Sequence, residues 1–182
     1  MANTPLSNQI SNRNFLSPVG FKFIISKNPK ISFFCNSVKL PEISLPTLTQ
    51  PSYLKDIDVP GDKIDYGDLV IKFLVDEDMV NYVAIHNWIT GIGFPESTNQ
   101  FKELTTNDLG IRDLLEITSD ASLQILNSNY QVNSTIKFKD VYPVSLTPLE
   151  FESNATDIRY FTSQAIFKYT IYNILGKDGK EL

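Results

Sequence analysis

The sequence predicts a mainly β protein: a sandwich or barrel of two packed antiparallel sheets with one flanking α-helix at about residues 77–90. Three observations lead there. Short apolar runs with the two-residue alternation of strands recur from one end of the chain to the other. One internal segment alone switches to a helical period. The 12 Phe and 8 Tyr, both strand formers, far outnumber the single Trp88.

Residues 1–19 are polar, Asn-rich and without periodicity, and read as an extended N-terminal arm that orders on a partner; residues 20–182 read as a single β domain. Phe21 to Ile25 is the first strand and Ile31 to Val38 the second. Lys27-Asn28-Pro29-Lys30 reads as the turn that would make them a hairpin. Leu40 to Pro60 is broken by Pro41, Pro46 and Pro51. Proline cannot donate to a ladder, so this stretch reads as edge or loop, yet it carries Leu40, Ile43, Leu45, Leu48, Tyr53, Leu54 and Ile57.

After a turn at Gly61-Asp62, Tyr66 to Val75 reads as a strand with both faces largely covered. Asp76 then opens a helix and Gly91 closes it, with Glu77 and Asp78 at the positive end of its dipole. Tyr82, Ile85 and Ile89 form one apolar stripe and Val80, Ala84 and Trp88 another, as for a helix that packs on its own sheet and also touches something else. Residues 91–120 read as irregular, with a short helix near 108–116. Ala121 to Leu126, Ser134 to Leu146 and Phe161 to Leu175 read as three closing strands.

Composition narrows the function. The 182 residues suit one domain, and 42% hydrophobic with 20% charged residues is a globular balance. The net charge of −5 argues against binding driven by phosphate contacts, which needs Lys and Arg. Cys35 and His86 are the only residues of their types, so an intrachain disulfide and a Cys/His zinc site are both excluded. No apolar run reaches the ~18 residues of a membrane helix, and the polar start does not resemble a signal peptide; a chain made in the cytosol is the expectation.

The candidate chemical motifs fail on inspection. Asp56-Ile57-Asp58-Val59-Pro60-Gly61 begins like a calcium loop, but Pro60 holds its fifth position and Gly67 the twelfth, where a bidentate Glu is required. Gly91-Ile92-Gly93 follows a helix, whereas a dinucleotide loop follows a strand. His86 has no partner motif for catalysis, and Cys35 between aromatic residues reads as a small hydrophobe. Asn133-Ser134-Thr135 and Asn154-Ala155-Thr156 match the glycosylation pattern only as an Asn-rich chain would by chance. The acidic run of Asp56, Asp58, Asp62, Asp65 and Asp68, then Asp76, Glu77 and Asp78, is either a solvated surface or a wall that repels a polyanion. Neither an enzyme nor a cofactor or metal site is expected.

Taken together, Phe21 to Ile25, Phe33-Phe34-Cys35, Leu40-Pro41, Val59-Pro60-Gly61-Asp62, Tyr66 to Val75, Asp76-Glu77 with Trp88, Val141-Tyr142-Pro143-Val144 and Phe167 to Tyr172 resemble, in order and spacing, the tail tube protein family of contractile-tailed bacteriophages (myoviruses). The resemblance spans about residues 20–175. It implies a tail-tube type β domain that assembles as hexameric rings, stacked into the inner tail tube through which DNA is ejected. The implied partners are copies of itself, the tail sheath protein, and baseplate and tail terminator proteins. DNA would pass without specific binding, and the subunit would not insert into a membrane. The implied location is the virion tail tube, and the host cytoplasm during assembly.

The first reading is therefore the main tube subunit, with a tube initiator or terminator of the same fold as the alternative. A phage-derived injection machine would use the same architecture. From a different class, a monomeric β-sandwich would use residues 91–120 as a recognition loop. On the tube reading, Leu40, Pro41, Ile43, Leu45, Leu48, Tyr53, Leu54 and Ile57 are the expected ring-stacking residues, and Tyr82, Ile85 and Ile89 the expected helix residues between subunits.

Overall fold

The computed structural model describes residues 15–106, 117–152 and 160–181. In chain order the elements are β1 (Phe21–Ile25), α1 (Pro29–Phe34), β2 (Cys35–Lys39), β3 (Ile43–Ser44), β4 (Thr47–Gln50), β5 (Ile57–Pro60), β6 (Asp65–Tyr66) and β7 (Leu69–Leu74). They continue with α2 (Val80–Gly93), α3 (Thr98–Thr105), β8 (Ser119–Leu126), β9 (Val132–Leu146), β10 (Thr162–Lys168) and β11 (Ile171–Leu175). The architecture is mainly β, as the sequence predicts, with all main-sheet pairings antiparallel.

β9 organises the two layers. Its first part pairs with β8 and β11, up to Val141 opposite Ser119. Its last residues, from Tyr142, pair with β10. Beyond β10 come β7 and then β2, and beyond β8 comes β1. Asp140 lies at the junction with φ 55°, a left-handed conformation that turns the strand from one sheet into the other. The partner strand has to break where β9 bends. The predicted strand over Phe161 to Leu175 is therefore two: β10 follows one half of β9 and β11 the other. Thr170, in the gap, donates its N–H to Lys139 O at 3.0 Å.

The predicted hairpin between the first two apolar runs does not form. Pro29 occupies the first turn of α1, where its fixed φ suits a helix and its missing N–H costs nothing. Ile31 is thereby buried, and Ser32 Oγ accepts the Ile25 N–H at 3.2 Å. β1 then pairs with β8, and β2 with β7 in the other sheet.

The core lies between the sheets and beneath α2. Phe23 and Ile25 of β1, Leu69, Ile71 and Phe73 of β7, Ile136 and Phe138 of β9, and Ala165 and Phe167 of β10 are buried at two-residue spacing. On β7 only that face is fully covered. Lys72 and Leu74 point outward, so the expectation of two covered faces is corrected.

α2 begins at Val80, later than expected, after a turn in which Met79 has φ 54°. Asp76 still serves the helix start. Its Oδ1 accepts the Asn81 N–H at 3.4 Å, while Asn81 Oδ1 accepts the Asp76 N–H at 3.4 Å. Asn81, fully buried, also donates from Nδ2 to Leu74 O at 2.7 Å. Asn81→Ala strands that carbonyl and should cost about 2 kcal/mol. A urea midpoint shift at unchanged slope is the check.

The helix runs past Gly91 to Gly93, and Phe94 closes it in a left-handed conformation with its N–H on Thr90 O. Gly91 instead lets α3 come close: a Cβ there would lie 3.1 Å from Leu104 side-chain atoms. α3 falls within the region expected to be irregular, and the short helix expected near residues 108–116 lies outside the described residues.

Candidate assembly interface

Between β2 and β7 the chain leaves the sandwich as a long β-arm. At its base β3 pairs with β6, Ile43 opposite Tyr66. Farther out β4 pairs with β5, Leu48 opposite Val59 and Gln50 opposite Ile57. Two cross-links brace the arm: Gly67 N–H donates to Glu42 O at 2.9 Å, and Gly61 N–H donates to Pro46 O at 2.8 Å. The Tyr66 ring meets Tyr169 and Tyr172 edge-on, at centroid distances of 6.0 and 5.7 Å, which ties the base to the body. Burial of the Tyr169 hydroxyl, with the neighbouring tyrosines and Asp68, pushes its pKa up to about 12. The base of the arm is thus tied to the sandwich.

Directly opposed residues of an antiparallel pair share a face, and alternate residues lie on opposite faces. Leu48, Val59 and Ile57, with Gln50, therefore form one face of the outer arm. Thr47, Thr49, Asp58 and Pro60 form the other, where Thr49 Oγ1 bonds Asp58 Oδ1 at 3.5 Å. The first face is apolar and uncovered: Leu48 is 65% exposed, and Ile57 and Val59 are exposed as well. At the tip Tyr53 is 100% and Leu54 90% exposed. A strand pair this bare gains nothing from folding onto its own subunit, and its greasy side is of the kind that marks an interaction surface.

The expected stacking residues Leu40, Ile43, Leu45, Leu48, Tyr53, Leu54 and Ile57 all lie exposed on this arm or at its root. Pro41 does not: it is buried at the root and belongs to the subunit's own packing, a correction. Val59 joins the apolar face and was not singled out in the sequence. The alternation Ile57-Asp58-Val59 opposite Leu48 was the signal that could have found it. Gly61 sets the arm's geometry, because a Cβ there would lie 2.6 Å from the Pro46 carbonyl oxygen. Gly61→Ala should displace the outer arm while the unfolding free energy of the sandwich, read from urea melts, stays within about 0.5 kcal/mol of wild type.

The helix residues fare differently. Ile85 is 0% exposed and offers a neighbour no free surface, so its intersubunit assignment is corrected; Ile89 is partly buried against the core. Tyr82 is half-buried and donates to Thr147 O at 3.3 Å. The two predicted stripes collapse into one buried line through Asn81, Ile85 and Trp88, four and three residues apart. Val80 and Val83 are the apolar residues α2 leaves exposed.

The acidic run sorts by position. Asp56, Asp58, Asp62 and Asp65 sit exposed along the arm and Asp68 just after it. Asp68 pairs with Lys168, an exposed ion pair of modest worth. His86 is exposed on α2, its Nδ1 3.5 Å from Asn87 Oδ1. Cys35 is partly buried, and desolvation pushes its thiol pKa up to about 11 from 9.0. At pH 8 it should therefore react with a thiol reagent roughly a hundredfold more slowly in the folded protein than in urea, because the thiolate is the reactive form.

A family model described as phage tail tube protein matches residues 5–175. The chain belongs to the phage tail tube protein family. Proteins of this family are virion components, and the arm is thus a feature of a tube-type structural subunit. Over 181 residues this tail tube family member is 26% identical to the tail tube terminator protein of Enterobacteria phage T4, covering 95% of this chain and 92% of that one. Its fold is similar to that of the tube-terminating cap of the anti-feeding prophage, with a TM-score of 0.65 at 12% identity over 96% of this chain and 99% of the other. A chain of the extended sheath–tube complex of an extracellular contractile injection system, PVC, gives 0.58 at 14% identity, over 96% and 99%. A chain of the PVC sheath/tube terminator gives 0.57 at 15%, over 91% and 100%. At such identities the structural likenesses speak for the tail tube fold alone.

Proposed function

We propose that this tail tube family member is the subunit that ends the tube. The observation that carries the reading is the match, over nearly the full length of both chains, to a tail tube terminator. It favours the alternative of the sequence reading over its first choice, the repeating tube subunit.

A terminator has to bind the last tube ring without offering that ring's surface again. In this reading copies form a closed hexameric ring. The apolar face of the outer arm, Leu48, Ile57 and Val59, lies on the terminal tube ring together with the exposed Ile43 and Leu45 nearer the arm's base, and Val80 and Val83 of α2 meet a neighbour. Sheath protein is the lateral partner in the assembled tail. Assembly takes place in the host cytoplasm. The ring's centre passes DNA, and a subunit charge of −5 gives that passage little counterion-releasing affinity.

Addition of the purified protein to polymerising tube subunits tests this. The proposal expects tubes whose mean length falls as the protein is added, with one distinct ring at one end in electron micrographs. Long tubes made of this protein alone, with a continuous spread of lengths, would return the assignment to the repeating subunit.

A further inference from the structure

The sandwich carries an apolar groove at the end remote from the arm. It is a cavity of about 670 Å³, lined by Phe34, Leu74, Phe151 and Phe161 and edged by Asp76 and Glu77. The Phe151 and Phe161 rings lie 4.7 Å apart, and Phe151 is 72% exposed. Asp76 is engaged by Asn81, whereas Glu77 stands as an exposed carboxylate at the rim.

The placement of this groove follows from topology. The arm departs after the C-terminal end of β2 and returns at the N-terminal end of β7. The groove is built from the other ends of those strands: Phe34 precedes β2, and Leu74 ends β7. Because β2 and β7 are antiparallel neighbours, arm and groove lie at opposite ends of one strand pair, about 20 Å apart along β7 alone at ~3.3 Å per residue. The arm tip offers what such a groove would take: Tyr53 and Leu54, almost fully exposed, followed by the cation Lys55.

We propose that the groove receives the arm tip of a second copy of this chain, with Tyr53 and Leu54 against Leu74, Phe151 and Phe161 and Lys55 facing Glu77. A knob at one end and a socket at the other make a head-to-tail contact. Such a contact joins two different patches and closes into a ring when its rotation permits. Two apolar side chains fit comfortably in a cavity of this size, and the opposite charges at its edge set the register of the contact. The inference rests on the reading above that copies form rings, and it assigns the tip to the neighbouring copy while the arm's flat face remains for the tube.

The test joins tip and groove covalently. In a Cys35→Ser background, Leu54→Cys combined with Phe161→Cys should give a ladder of crosslinked species up to the size of the ring under mild oxidation, and neither single cysteine should give it. Lys55→Glu and Glu77→Lys should each weaken ring formation roughly tenfold, because each sets two like charges against each other at the edge of the contact, and the two together should restore it. Both sites are exposed, so a sandwich with wild-type circular dichroism is expected throughout. Rings that form but stay uncrosslinked, or a double charge exchange no better than the poorer single variant, would overturn the contact and leave ring formation standing. A wild-type protein that is monomeric at all concentrations would overturn both.

Discussion

On the terminator reading, Leu48→Asp should yield a folded protein that still forms its ring but no longer binds the end of a tube. Leu48 is 65% exposed and faces Val59 across the β4–β5 ladder, at the centre of the arm's apolar face. In the free subunit the new carboxylate stands in water and costs little. On the tube it would be desolvated against apolar atoms without a partner. For a central contact residue the expected loss is about 2–4 kcal/mol of binding, or thirtyfold to several hundredfold in affinity. Thr49→Ala, one residue along on the polar face, should change binding by less than about threefold. Ile43→Asp and Leu45→Asp should behave like Leu48→Asp. Loss of soluble folded protein in these variants would instead mean that the arm is part of the subunit's own core.

Trp88→Ala should produce the largest loss of stability of any single truncation considered, about 3–5 kcal/mol. Trp88 is 2% exposed on the buried line of α2. Its ring lies 6.1 Å from that of Phe167 in β10, and the Lys27 ammonium sits over it at 5.4 Å. Its Nε1–H donates to Ile117 O at 2.8 Å, which ties the helix to the chain just before β8. Truncation removes all three contacts and leaves a void that the flanking sheet cannot fill by small shifts. His86→Ala, two residues away on the exposed side, should change stability by less than about 0.5 kcal/mol. Equal midpoints for the two variants in urea would mean that α2 does not hold the sheets together.

The strands were legible in the sequence because burial on one face forces alternation, as in Leu69, Ile71 and Phe73 or Ala165 and Phe167. Two departures have different causes, one long-range and one local. The bend at Asp140 depends on where β9 must pass between sheets, and it dictated the break at Tyr169-Thr170 that the apolar pattern of Phe161 to Leu175 conceals. The helix at Pro29–Phe34 was hidden by a short apolar run that suits either period; Asn28-Pro29 was the helix-start signal within it.

The arm was legible by contradiction: too apolar for a free loop and too rich in proline for a sheet interior. Its pairing was not, because two-residue ladders such as Ile43-Ser44 with Asp65-Tyr66 leave little pattern to read. Ile85 was misplaced for a different reason. The buried line of the helix runs between the two apolar stripes and includes the polar Asn81, so apolar spacing alone did not locate it.

The most direct test of the central claim, that this chain is a ring-forming end piece with a bare arm, is the mass and symmetry of the purified protein. Native mass measurement with electron-microscopic class averages supplies both. The account predicts one closed ring of fixed size that does not grow with concentration. A monomer at every concentration, or an open-ended tube of its own copies, would contradict it.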